Sequence, residues 1–126
     1  MASKSYWDRL GIALSGVCTL HCLSIPIITA LLPFGLMSNI LHEWMHPILF
    51  LLIVPTVYFA VRHNCSPLTL WSLLSGLVII AITWMLHDML SLGVEAAITS
   101  VGSLLLIAGH WQNYRSHNGR SCIIVK

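Results

Sequence analysis

Apolar residues run along this chain in four stretches free of Asp, Glu, Lys and Arg: Leu10 to Leu41, Trp44 to Val61, His63 to His87, and Ala96 to Tyr114. A helix rises 1.5 Å per residue and a hydrocarbon core is about 30 Å thick, so roughly 20 helical residues cross it. Each stretch is long enough, and together they predict an all-α polytopic membrane protein with four transmembrane helices. The first stretch exceeds what one crossing needs. Pro33-Phe34-Gly35 and Ser38-Asn39 are turn signals that predict its early end. The expected spans are about 9–33, 46–62, 68–87 and 94–113.

Charge then orients the spans. The basic residues fall on one side of this arrangement: Lys4 and Arg9 before span one, Arg62 between spans two and three, and Arg115, Arg120 and Lys126 after span four. Cytoplasmic loops carry the excess of Lys and Arg, so both termini are expected in the cytoplasm. Glu43, Asp88 and Glu95 fall on the opposite side. The net charge of +2 is therefore an orientation signal and not a sign of nucleic-acid binding. A cleaved signal peptide is not expected, because the first apolar run exceeds an h-region and leads into further spans. Composition agrees: 57% of the 126 residues are apolar and 8% charged, where soluble domains have roughly 25% charged. No Pro, Gly and Ser-rich linker or charge block divides the chain, so residues 1–126 are read as one domain.

Span one carries the chemistry. Residues three and four apart share a helix face, so Cys18, His21 and Cys22 are expected to converge. They fall near the middle of the bilayer, where polar side chains are costly and face a bundle interior or a water-filled path. Thiolate and imidazole are soft ligands suited to Cu(I), Zn(II) and Hg(II). Pro26 stands four residues after Cys22, where its ring conflicts with the Cys22 carbonyl and a kink is expected. The plainer account makes each cysteine a small hydrophobe and His21 an interhelical hydrogen-bonding group. Three such residues on one face favour the metal. Cys65 and Cys122 face a reducing cytoplasm, and thiols are expected throughout.

A second group gathers at the outer rim: His42, Glu43 and His46 from one loop, and His87, Asp88 and Glu95 from the other. Imidazole and carboxylate bind a divalent cation more weakly than thiolate and so suit its first collection; an ordinary polar loop is the alternative. His42-Glu43-Trp44-Met45-His46 also fits H-E-x-x-H, in which two His on one helix bind zinc and the Glu activates water. Pro47 biases His46 away from helical geometry, so the helix is expected to begin near Pro47 and the protease reading to fail. On the inner side, Cys122 is the natural receiver of a thiophilic ion. His110 and Asn113 share a face and are expected to pack across helices, as are the small-residue pairs Ser72 with Gly76 and Gly93 with Ala97.

The group Cys18-x-x-His21-Cys22 with Pro26, then His42-Glu43-Trp44-x-His46, then Gly102-Ser103-Leu104 leading to Gly109-His110, resembles the MerC family of mercury-resistance membrane proteins. The likeness extends from Trp7-Asp8-Arg9 to the tail. It implies a four-span inner-membrane protein that takes up mercuric ion, passing it from a membrane cysteine pair to cytoplasmic thiols and a reductase. Cys18 and Cys22 match that pair by position.

The expected function is thus uptake of a soft metal ion, with Cys18, His21, Cys22, His42, His46 and Cys122 as ligands and no resident cofactor. Hg2+ is the expected cargo, and the added imidazoles also suit Zn2+ or Cu+. No nucleotide-binding motif supplies energy, so the ion must follow its gradient or the thiol sink inside. An enzyme is not expected. A regulatory or structural membrane subunit is the alternative, and four short helices make a homodimer a fair expectation.

Overall fold

The computed structural model describes residues 2–31, 35–63 and 66–119, with the side chains of 2–4, 29–30, 35–43, 45 and 117–119 left aside. Among the described residues it is all-helical: α1 (Ala2–Leu31), α2 (Gly35–Arg62), α3 (Pro67–Met85) and α4 (Leu92–Gly119), with a single 3-10 turn at His87–Met89. Three helices contain segments long and apolar enough to cross a membrane, Ser5–Ile28, Pro67–Met85 and Leu92–Ser116, and His46–Arg62 of α2 is a shorter apolar one. In lipid every backbone polar group must be satisfied within the chain, which is why such runs become helices.

Two expectations about α2 need correction. The helix does not begin near Pro47 but at Gly35, and it runs through Ser38, Asn39, Pro47 and Pro55. Proline removes only its own N–H from the ladder, so a helix can run on through it where the other backbone bonds are kept. The turn signal at Pro33 and Phe34 lies outside the described residues, between the described ends of α1 and α2. Pro26 likewise lies inside α1. Pro67 sits at the first position of α3, where a missing N–H costs nothing.

The helices alternate in direction. α4 packs most extensively on α1 and α3, while α2 lies against α1 and, less closely, α3. Three glycines allow the α3–α4 approach: a Cβ at Gly76 would meet the Gly102 carbonyl at 2.7 Å, one at Gly102 would meet Ile80 at 3.0 Å, and one at Gly109 would meet Leu73 at 2.8 Å. Ser72 donates to the Leu105 carbonyl at 2.8 Å across the same interface. The Ser72 and Gly76 pair therefore packs as expected, whereas Gly93 and Ala97 are exposed and a Cβ at Gly93 would meet nothing.

The main apolar core joins Ile53, Val57 and Ala60 of α2 to Leu73 and Ile80 of α3 and Leu106 of α4. Large apolar side chains also point outward, among them Leu20, Leu51, Trp71 and Met85, each more than two-thirds exposed. Such outward faces suit lipid. Arg9 and Arg62 share one end of the bundle, since Arg9 reaches Tyr114 on α4 at 3.3 Å and the adjacent Asn113 reaches the α2 carbonyl of Ala60.

Candidate functional site

Cys18 and Cys22 stand one turn apart on the face of α1 that meets the rest of the bundle. Both are free thiols, each only 2% exposed. Their side chains are within hydrogen-bonding reach of each other, and Cys18 also reaches Ser103 on α4. Leu49 of α2 and Ala96 of α4 close an apolar wall around them. The result is two adjacent soft donors screened from solvent, a setting suited to a two-coordinate soft cation.

The imidazoles sit to one side of the thiols. His21 turns toward α2, where its ring lies 6.3 Å from that of His46 in an edge-to-face arrangement. His46 Nε2 is 3.7 Å from Glu95 Oε1, both side chains being more than nine-tenths buried. Glu95 is also an electrostatic neighbour of Cys22. It lies in the first turn of α4, where the helix N-terminus favours a carboxylate.

The expected rim of six ligands thus divides: His46 and Glu95 form a buried pair, while His87 pairs with exposed Asp88 at 3.2 Å. The side chains of His42 and Glu43, and all of Cys65 and Cys122, lie outside the described residues. Because α2 is helical from Gly35, His42 and His46 do share one helix, contrary to expectation. His46 is directed at Glu95 on α4. Among the described residues no three or more His, Cys, Asp or Glu side chains gather as a metal-holding group, which leaves the thiol pair as the candidate ligand unit.

One cluster escaped the sequence reading. Asp8 of α1 is 1% exposed and accepts two hydrogen bonds from Asn113 Nδ2, at 3.0 and 3.1 Å. It also faces His110 Nδ1 at 3.2 Å. Gly11 makes room for that ring, since a Cβ there would lie 2.4 Å from His110 Nε2. The one signal was the shared face of His110 and Asn113; Asp8 was given no role.

Fold and site together define a multi-pass helical membrane protein with a buried thiol pair. Residues 8–115 match the family model described as MerC mercury resistance protein, and the chain belongs to that family of mercury-resistance membrane proteins. No curated protein matches the chain, and no solved structure does.

Proposed function

We propose that the protein carries mercuric ion into the cell through the Cys18 and Cys22 pair. The observation that carries this reading is the meeting of two buried thiols on α1 in a chain of this family. Thiolates bind a soft ion by releasing their protons, and two of them neutralise a divalent cation, so the loaded pair is uncharged and can sit at mid-membrane. His46 and Glu95, with His21 alongside, serve as the collecting group, holding the ion more weakly than sulfur and surrendering it inward. His42, on the same helix as His46, is a further ligand of that group. The chain lies in the inner membrane with both ends in the cytoplasm, where Cys122 and then soluble thiols or a reductase receive the ion. No energy source is required, because a thiol sink inside draws the ion down.

The test is accumulation of Hg(II), Zn(II) and Cu by cells expressing the protein or its Cys18→Ser/Cys22→Ser variant. Hg(II) accumulation that disappears in the variant is the expected result. Accumulation of Zn(II) or Cu instead would reassign the cargo while keeping the pair. Equal accumulation of all three in both strains would leave a non-transporting membrane subunit as the better account.

A further inference from the structure

The buried polar groups are not spread evenly. On α4 the buried positions Glu95, Thr99, Ser103, Leu106, His110 and Asn113 follow one another at intervals of three or four residues, the spacing of a single helix face. On α1 the buried positions Asp8, Gly11, Ser15, Cys18 and Cys22 do the same. The two faces meet in antiparallel register. Asp8 touches His110 and Asn113, Gly11 touches His110, and Cys18 touches Ser103. A polar seam therefore runs along the α1–α4 interface past the thiol pair, with Leu106 as an apolar member.

Hydrogen bonding separates this seam from the rest of the interior. Among the described residues the buried hydroxyls on α2 and α3 are all engaged: Thr56 donates to the Ile53 carbonyl, Thr83 to the Ile79 carbonyl and Thr69 to Gln112 Oε1. On the seam Ser15 Oγ, Thr99 Oγ1, His110 Nε2 and Asn113 Oδ1, and next to Thr99 on α4 Ser100 Oγ, are buried with no hydrogen-bond partner among the described residues. Their residues are 0% exposed at Ser15 and His110, 1% at Thr99 and Asn113, and 8% at Ser100. An unpaired buried lone pair is costly, and more so in lipid, where water offers no relief. The cost falls on the very interface that holds the thiols.

From this distribution we infer that the α1–α4 seam is the path along which the ion moves, with the unpaired hydroxyls of Ser15, Thr99 and Ser100 as transient oxygen ligands on either side of the thiol pair. Oxygen lone pairs replace the shell a cation loses on leaving water, and they bind a soft ion weakly enough to let it go. The path ends at Asp8, His110 and Asn113, where the His110 ring fills the notch at Gly11 and closes the end of the seam shared by Arg9. The inference rests on the uptake reading above and adds the route to it.

The full-length protein in liposomes loaded with glutathione, given HgCl2 outside, tests both readings separately. Wild type and the Cys18→Ser/Cys22→Ser variant come first. If bound Hg(II) and uptake do not depend on the cysteines, the uptake reading falls and the route with it. Given that dependence, the variant Ser15→Ala/Thr99→Val/Ser100→Ala is compared with wild type for bound Hg(II) per chain, uptake rate and thermal midpoint. The expected result is a tenfold or greater fall in uptake rate with unchanged Hg(II) binding and an unchanged or higher midpoint, because each substitution removes a polar atom that bonds to nothing. A merely structural role raises the midpoint and leaves uptake within twofold of wild type, which overturns the route. Loss of Hg(II) binding together with uptake also overturns it, since the hydroxyls would then belong to the thiol site itself. Thr99→Val alone, a near-isosteric change, carries the same comparison if the triple variant fails to fold, with a threefold fall expected.

Discussion

Removing the Asp8 carboxylate is the most informative single perturbation of the fold. Asp8 is 1% exposed, faces His110 Nδ1 at 3.2 Å, and accepts from Asn113 Nδ2 through both its oxygens. Asp8→Ala leaves His110 with neither ring nitrogen bonded, because Nε2 already lies unpaired against Gly11. Asn113 keeps only a long contact of 3.4 Å to the Ala60 carbonyl. Hydrogen bonds to charged groups are worth about 1.5–3 kcal/mol each, and two partners lose theirs, so the expected loss is about 3–6 kcal/mol. That is a large part of a typical stability of about 5–15 kcal/mol. Asp8→Asn keeps the shape and one acceptor oxygen, and should cost about 1–3 kcal/mol. Equilibrium unfolding in mixed detergent micelles gives these differences, and a double-mutant cycle with His110→Ala isolates the pair. The coupling should reach about 1.5–3 kcal/mol. As a control, Arg9→Ala removes an exposed contact to Tyr114 and should cost less than about 1 kcal/mol. Asp8 and His110 effects that add within about 0.5 kcal/mol would refute the reasoning.

Other expectations follow from the same geometry. Gly11→Ala places a methyl 2.4 Å from His110 Nε2, so the ring must leave its notch, and the variant should lower the thermal midpoint while adding little to Asp8→Ala. Gly76→Ala drives a methyl to 2.7 Å from the Gly102 carbonyl and should reduce the folded yield in detergent; Gly16→Ala meets nothing and should gain up to about 1 kcal/mol from helix propensity, both checked by unfolding midpoints. Replacing His46 and Glu95 together by Ala should raise the Hg(II) concentration for half-maximal uptake several-fold while leaving the maximal rate near wild type. An unchanged half-maximal concentration would remove their collecting role.

How much was legible in the chain depends on which force sets each feature. The helices were, because charge-free runs such as Ala96 to Tyr114 have no other way to satisfy their backbone in lipid. The start of α2 was not: Ser38-Asn39 and Pro47 carry turn and helix-start preferences, and the helix runs through all three because such local preferences are weak priors. Cys18 and Cys22 were visible as a spaced pair on one face. The turning of His21 toward His46, and of His46 toward Glu95, was not, because it needs α2 and α4 placed beside α1. Asp8 was the largest omission. Beside Arg9 it has the appearance of an interfacial charge, and only the antiparallel docking of α4 shows that it is enclosed.

That enclosure bears on how a bundle this small can be both cohesive and permeable to an ion. Lipid tails are as apolar as Leu, so no hydrophobic force draws one helix to another, and cohesion must come from close packing and interhelical hydrogen bonds. α3 and α4 use close packing, through Gly76, Gly102 and Gly109. α1 has polar groups instead, and its firmest link to α4 is the satisfied Asp8 carboxylate. Further along the same interface the hydroxyls of Ser15 and Thr99 hold nothing together, because they bond to none of the described residues. Cohesion and unmet polarity are therefore divided along one seam: the anchor lies at the end near Arg9, and the unpaired oxygens lie beside the thiols. An ion that satisfied those oxygens would weaken no existing bond, so it could pass along the middle of α1 and α4 while the anchored end keeps the two helices in register.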